Sequence, residues 1–236
     1  MTTQIAAQNP IIYPERDGLP MSDNTKQFRW IVTIQGGLDS LFVGDPSVFV
    51  AGDLLWYPLE GDNKTRIAPD AMVVFGRPKG DRGSYLQWRE DNIPPQVVFE
   101  VLSPGNRLGE MLKKLKFYER YGVEEYYMYD RDHEDLSGWL RSGEELQEIE
   151  QLSGWVSPRL GIKFEPTPTG LEIYRPDGQK FATYVELDEQ RVNAIALATQ
   201  EAQRANQEAQ RANQEAQRAD RLAAKLLELG IDLDTL

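Results

Sequence analysis

Residues 95–102 read PQVVFEVL, an apolar run with a carboxylate inside it. Val97, Val98, Phe99, Val101 and Leu102 are β-branched, aromatic or aliphatic. Pro94-Pro95 before them and Pro104-Gly105 after them close the run off, which is the pattern of a buried strand. Alternate side chains of a strand share a face, so Glu100 sides with Val98 and Leu102 while Phe99 and Val101 point the other way. Neither face reads as solvent. An unpaired carboxylate taken out of water costs several kcal/mol or more. A cation or a set of donors must therefore meet Glu100, and its identity is the functional question.

The neighbouring segments build a sheet around this strand. APDAMVVFG (68–76) is a second apolar strand, begun by Pro69-Asp70 and stopped by Gly76, and SVFVAGDLLWYPL (47–59) reads as one or two strands bent at Gly52. Between the acidic strands lies a long polar loop, GRPKGDRGSYLQWREDNIPP (76–95). After Glu100, RLGEMLKKLKFYERYG (107–122) predicts an amphipathic helix, with Leu108, Met111, Leu112, Leu115 and Tyr118 at three- and four-residue steps and Gly122 as its stop. VEEYYMYD (123–130) is the next strand, so strand, helix and strand form a crossover unit of a mixed sheet. Upstream, residues 22–42 predict a helix capped by Ser22, Asp23 or Asn24, with Phe28, Ile31, Val32 and Leu38 at helical spacing and Gly36-Gly37 weakening it. From about 137 to 187 the pattern is β, and Pro176-Asp177-Gly178 signals a hairpin.

The tail differs in kind. EAQRANQ at 201–207 recurs at 208–214 and again as EAQRADR at 215–221, a seven-residue repeat that puts Ala202, Ala205, Ala209, Ala212, Ala216 and Ala219 on one stripe. Ile195, Ala198, Ala223 and Leu226 extend the register. Such heptads suit either a closely packed coiled coil or a lone solvated helix.

Composition excludes several chemistries. The 236 residues contain no cysteine, hence no disulfide, thiolate zinc site or cysteine nucleophile. The single histidine, His133, sits in a polar turn-like stretch, which removes serine–histidine triads and histidine-rich metal sites. No run of roughly 18 apolar residues is present to span a membrane, and the N-terminus lacks a secretory pattern; the expected location is cytoplasmic. A formal net charge of -12 argues against a surface that grips nucleic acid everywhere, though not against a local basic groove. The five tryptophans are scattered and show no sugar platform, against a carboxylate-pair glycosidase. Carboxylates, lysines and a hard metal ion remain.

Asp70 opens one apolar strand and Glu100 lies inside the next. If the strands are neighbours, the two acids converge at one end of the sheet and form a magnesium or manganese site; the alternative is that Asp70 caps a turn and Glu100 pairs with a nearby base. Of Lys113, Lys114 and Lys116 on the following helix, phase favours Lys114, with Lys116 slightly farther from the apolar face and Lys113 nearly opposite. Arg77, Lys79 and Arg82 in the intervening loop are either phosphate contacts or a solvated charged loop.

The ordered pieces PDAMVVF, PPQVVFEVLSPGN and KLKFYERYGVEEYYMYD resemble the Uma-two family of restriction-endonuclease-like proteins, in the PD-(D/E)xK nuclease superfamily, over roughly residues 22–165. The resemblance implies an α/β, restriction-endonuclease-like mixed sheet flanked by helices, followed by a C-terminal antiparallel β extension and a long helical tail. The expected organisation is an extended lead-in at 1–21, a nuclease-like core at 22–165, a β-hairpin extension at 166–187 and the alanine-rich tail at 188–236. The superfamily's usual lysine, two residues after the second acid, is Leu102 here; the family pattern moves it to the helix, onto Lys114. The implied site has Asp70 and Glu100 holding magnesium or manganese with the Val101 carbonyl, and Lys114 steadying the attacking hydroxide or the charge on phosphorus. Asp53 is a further acid to weigh, and Gln27 the nearest polar candidate on the first helix.

The implied activity is a metal-dependent endonuclease acting on DNA, with homo-oligomerisation, through the C-terminal helix among other routes, to serve two strands. The competing reading is a catalytically idle member of the fold that assembles partners through that helix.

Overall fold

The computed structural model describes residues 11–15, 25–102, 108–168 and 170–229. It separates into two compact units, Met1–Thr183 and Tyr184–Leu236. The first unit begins with α1 (Thr25–Leu41), β1 (Val48–Ala51), β2 (Trp56–Tyr57), β3 (Ala71–Phe75) and β4 (Tyr85–Leu86), the last followed by a 3₁₀ turn at Gln87–Arg89. It continues with β5 (Val97–Val101), α2 (Leu108–Arg120), β6 (Glu125–Asp130), β7 (Asp135–Ser142), β8 (Glu145–Glu148), β9 (Lys163–Thr167) and β10 (Gly170–Tyr174). The second unit is α3 (Tyr184–Glu228), a 45-residue helix with no buried residue.

The main sheet has the order β1-β3-β5-β6-β7-β8. Only β5 and β6 run parallel within it, with Val97 opposite Glu125 and Val101 opposite Tyr129. A parallel pair needs a long crossover, and α2 supplies it. The class is therefore α/β, a mixed sheet flanked by helices, with β9 and β10 as an antiparallel hairpin and the long helix last. Arg175 donates its amide to Gln179 beyond that hairpin, closing the turn expected at Pro176-Asp177-Gly178.

Each face of the sheet carries its own core. Val97, Phe99, Val101 and Tyr127 pack with Ile34 and Leu38 of α1 and with Phe164, Ile173 and Phe181. Val98, Tyr126 and Met128 pack with Tyr118 of α2 and with Trp56 and Tyr85. All five residues of β5 are buried, as its unbroken apolar run requires.

The helix faces differ from the apolar spacing in two places. Phe28 and Val32 of α1 are exposed at 57% and 42%, and the buried side is Gln27, Thr33, Ile34 and Leu38. The helix turns the Gln27 amide inward onto the Val101 carbonyl and leaves the Phe28 ring outside. Leu112 of α2 is likewise half-exposed while Tyr118 is fully buried. Gly37 stays in α1 despite its helix cost of about 1 kcal/mol, since a Cβ there would sit 2.3 Å from the Phe181 ring. At the end of α2, Gly122 adopts φ 92°, the left-handed stop that glycine makes cheaply. The cap candidates Ser22, Asp23 and Asn24, and Pro104-Gly105 after β5, lie outside the described residues.

Candidate active site

Strands β3 and β5 are antiparallel neighbours, with Met72 opposite Val98 and Ala71 opposite Phe99. One residue further along this register sets Asp70 opposite Glu100, so the two acids meet at one end of the sheet. The Val101 amide donates to Asp70 Oδ2 at 2.6 Å, which ties the acid to the strand that carries the other. Glu100 is 3% exposed.

Two side chains of α2 meet the buried carboxylate. Lys114 Nζ lies 2.7 Å from Glu100 Oε2, and the Tyr118 hydroxyl donates to Glu100 Oε1. Residues four apart share a helix face, so one turn of α2 supplies both donors. Lys113 and Lys116 are exposed. Burial lowers the Lys114 pKa, but the Glu100 carboxylate beside it, helped by Asp70 and Glu110, outweighs burial and holds it above its ordinary value. The lysine is an ammonium here. Burial, followed by the charge of Glu100, pushes the Tyr118 phenol far up, which keeps it a neutral donor.

The Val101 carbonyl faces α1: Gln27 Nε2 donates to it at 2.9 Å. Gln27 thus belongs to the same constellation as Asp70, Glu100, Val101 and Lys114. A second phenol, Tyr126, is 1% exposed and its hydroxyl has no hydrogen-bond partner among the described residues. Burial and then the charges of Glu100 and Asp70 raise its pKa. The Asp53 amide donates to the Pro69 carbonyl at 3.1 Å, and the residue is exposed.

The polar loop between the acidic strands folds on itself. Arg77 and Arg82 both grip Glu90, at 2.9 Å and 2.7 Å, Arg77 also contacts Asp91, and Arg82 lies 3.9 Å over the Phe49 ring. These arginines are therefore paired with acids of their own loop and only partly exposed. Lys79 is exposed. His133 pairs with Asp130 at 2.8 Å in an exposed turn.

Sequence spacing did not mark Tyr118 as functional, because an aromatic at a core position of a helix reads as packing. Its only signal was the four-residue step from Lys114.

Two carboxylates and a peptide carbonyl are hard oxygen donors of the kind magnesium and manganese take, so the residues present fit such an ion. No group of three or more His, Cys, Asp or Glu side chains is clustered for a metal among the described residues. No described helix is long and apolar enough to cross a membrane.

The Uma2 family model, described as "Putative restriction endonuclease", matches residues 29–215. Among solved structures, a chain described as "a putative nuclease belonging to DUF820 from Anabaena variabilis" is 15% identical. That likeness covers 59% of this chain and 74% of the other, with a TM-score of 0.42. No curated protein matches. The family match takes in Asp70, Glu100 and the whole of α2 within well over half of the sequence: the chain belongs to the Uma2 family.

Proposed function

We propose that the protein is a divalent-metal-dependent endonuclease that hydrolyses phosphodiester bonds of DNA. The supporting observation is the meeting of Asp70 and Glu100 at the end of adjacent strands, bridged by the Val101 amide on Asp70 and the Lys114 ammonium on Glu100. Membership in a family described as restriction endonucleases points the same way. Asp70, Glu100 and the Val101 carbonyl would hold magnesium or manganese. When bound, the ion supplies an activated water and polarises a phosphoryl oxygen. Lys114 brings a permanent positive charge to the place where charge builds on phosphorus or on the attacking oxygen. Gln27 keeps the Val101 carbonyl oriented. Cutting both strands of a duplex takes two such sites, and the alanine heptads of α3 provide a seam for a homo-oligomer.

The test is cleavage of supercoiled plasmid DNA with magnesium or manganese by the wild type, Asp70→Asn and Glu100→Gln. Metal-dependent nicking that both substitutions abolish supports the reading. A wild type that is inert across metals and substrates, yet assembles through its tail, supports the idle scaffold instead.

A further inference from the structure

Glu100 is held by two donors of different kinds. Tyr118 is fully enclosed, 0% exposed. Its ring lies parallel to Trp56 at 6.5 Å, edge-on to Phe117 at 6.0 Å and tilted against Tyr126 at 4.9 Å. Packed rings on several sides confine the phenol. Lys114 reaches the other oxygen on a flexible stem, and its side chain keeps 31% of its exposure. The chemistry also differs. A neutral hydroxyl can stay on a carboxylate that binds a cation, whereas an ammonium is a like charge and is repelled by the incoming ion.

We propose that Tyr118 is the positioning residue of Glu100, holding Oε1 and the plane of the carboxylate, while Lys114 is the exchangeable donor that releases Oε2 when a divalent ion arrives. The inference rests on the metal-dependent reading above. In the metal-free protein Lys114 supplies the countercharge that a buried carboxylate needs. With the ion in place that duty passes to the metal, and the freed ammonium turns toward the phosphate. Ligating carboxylates are commonly oriented by such outer hydrogen bonds.

The experiment is manganese titration by paramagnetic resonance on the full chain, comparing the wild type with Tyr118→Phe, Lys114→Met and Asp70→Asn. Phenylalanine keeps the ring and removes the hydroxyl. Tyr118→Phe is expected to weaken manganese affinity by roughly ten- to hundredfold and to change the zero-field splitting of the bound ion, a signature that lost packing alone does not move. Lys114→Met is expected to bind manganese at least as tightly as the wild type. Wild-type affinity and spectrum in Tyr118→Phe overturn the inference, as does weaker manganese binding in Lys114→Met than in the wild type. Should Tyr118→Phe not fold, Lys114→Met decides alone: retained or tighter binding supports the division of roles and weaker binding overturns it. A wild type that binds no manganese sinks the metal-dependent reading and this inference together. Binding that Asp70→Asn abolishes and Tyr118→Phe leaves intact sinks the inference only.

Discussion

The Gln27 side-chain amide donates to the Val101 carbonyl at 2.9 Å, across 74 residues of sequence. This bond pins α1 to the strand end that carries Glu100. Gln27→Leu keeps the volume roughly and removes the donor from a buried carbonyl, at an expected cost of about 1–3 kcal/mol. Urea unfolding reads the loss directly. The same variant should change manganese affinity, because the Val101 carbonyl loses the donor that α1 sets on it.

Arg141 secures the helix that bears Lys114 and Tyr118. Its guanidinium donates at 2.6 Å to the Glu119 carbonyl, an acceptor at the C-terminal end of α2 that the helix itself leaves open, and to the carbonyls of Val123 at 2.7 Å and Glu144 at 3.0 Å beyond the helix. Arg141→Leu is expected to lower stability by about 2–3 kcal/mol, the scale of charge-assisted bonds. The expected signature is a lower denaturant midpoint with little change in the affinity of the folded protein for manganese.

Much of this arrangement was legible beforehand, for reasons that are physical. The apolar runs around Asp70 and Glu100, closed off by proline and glycine, read as strands, and the three- and four-residue spacing after them as a helix. Because register follows from burial of both faces, adjacent strands bring their acids together. Helix phase then picked Lys114 from three lysines. Other features carry no periodic signal. Gln27 is one amide on a helix whose apolar spacing suggested another rotation. Tyr118 looks like core because it is also core. The pairing of Arg77 and Arg82 with Glu90 depends on a loop's path, which composition does not encode.

Glu125 opens β6, and the fold buries it completely. Its carboxylate accepts bonds from Ser157, from the Arg159 amide at 2.6 Å and from the Tyr127 hydroxyl at 2.9 Å. Burial raises its pKa above the ordinary 4.5, and these bonds pull it back only in part. The folded state therefore holds the proton more tightly than the unfolded chain does, and stability from this group falls as pH rises from about 4.5 through the folded value. The advantage of the wild type over Glu125→Gln should be largest below about pH 4.5 and shrink toward neutrality. Denaturant midpoints of both proteins across that range check the sign.

Both hydrophobic clusters draw on residues no later than Phe181, and α3 has no buried residue. A chain ended at Thr183 should keep the thermal midpoint of the core and its manganese affinity. If the heptads assemble the protein, sedimentation velocity should show an oligomer for the full chain and a monomer for the shortened one.

The central proposal is that Asp70 and Glu100 would together hold one divalent ion. Manganese binding followed by paramagnetic resonance, with the wild type beside Asp70→Asn and Glu100→Gln, tests it most directly. The account expects the wild type to bind manganese and each substitution to abolish binding while leaving the fold intact. A wild type that binds none even with a short DNA duplex present, or binding that survives both substitutions, would contradict it.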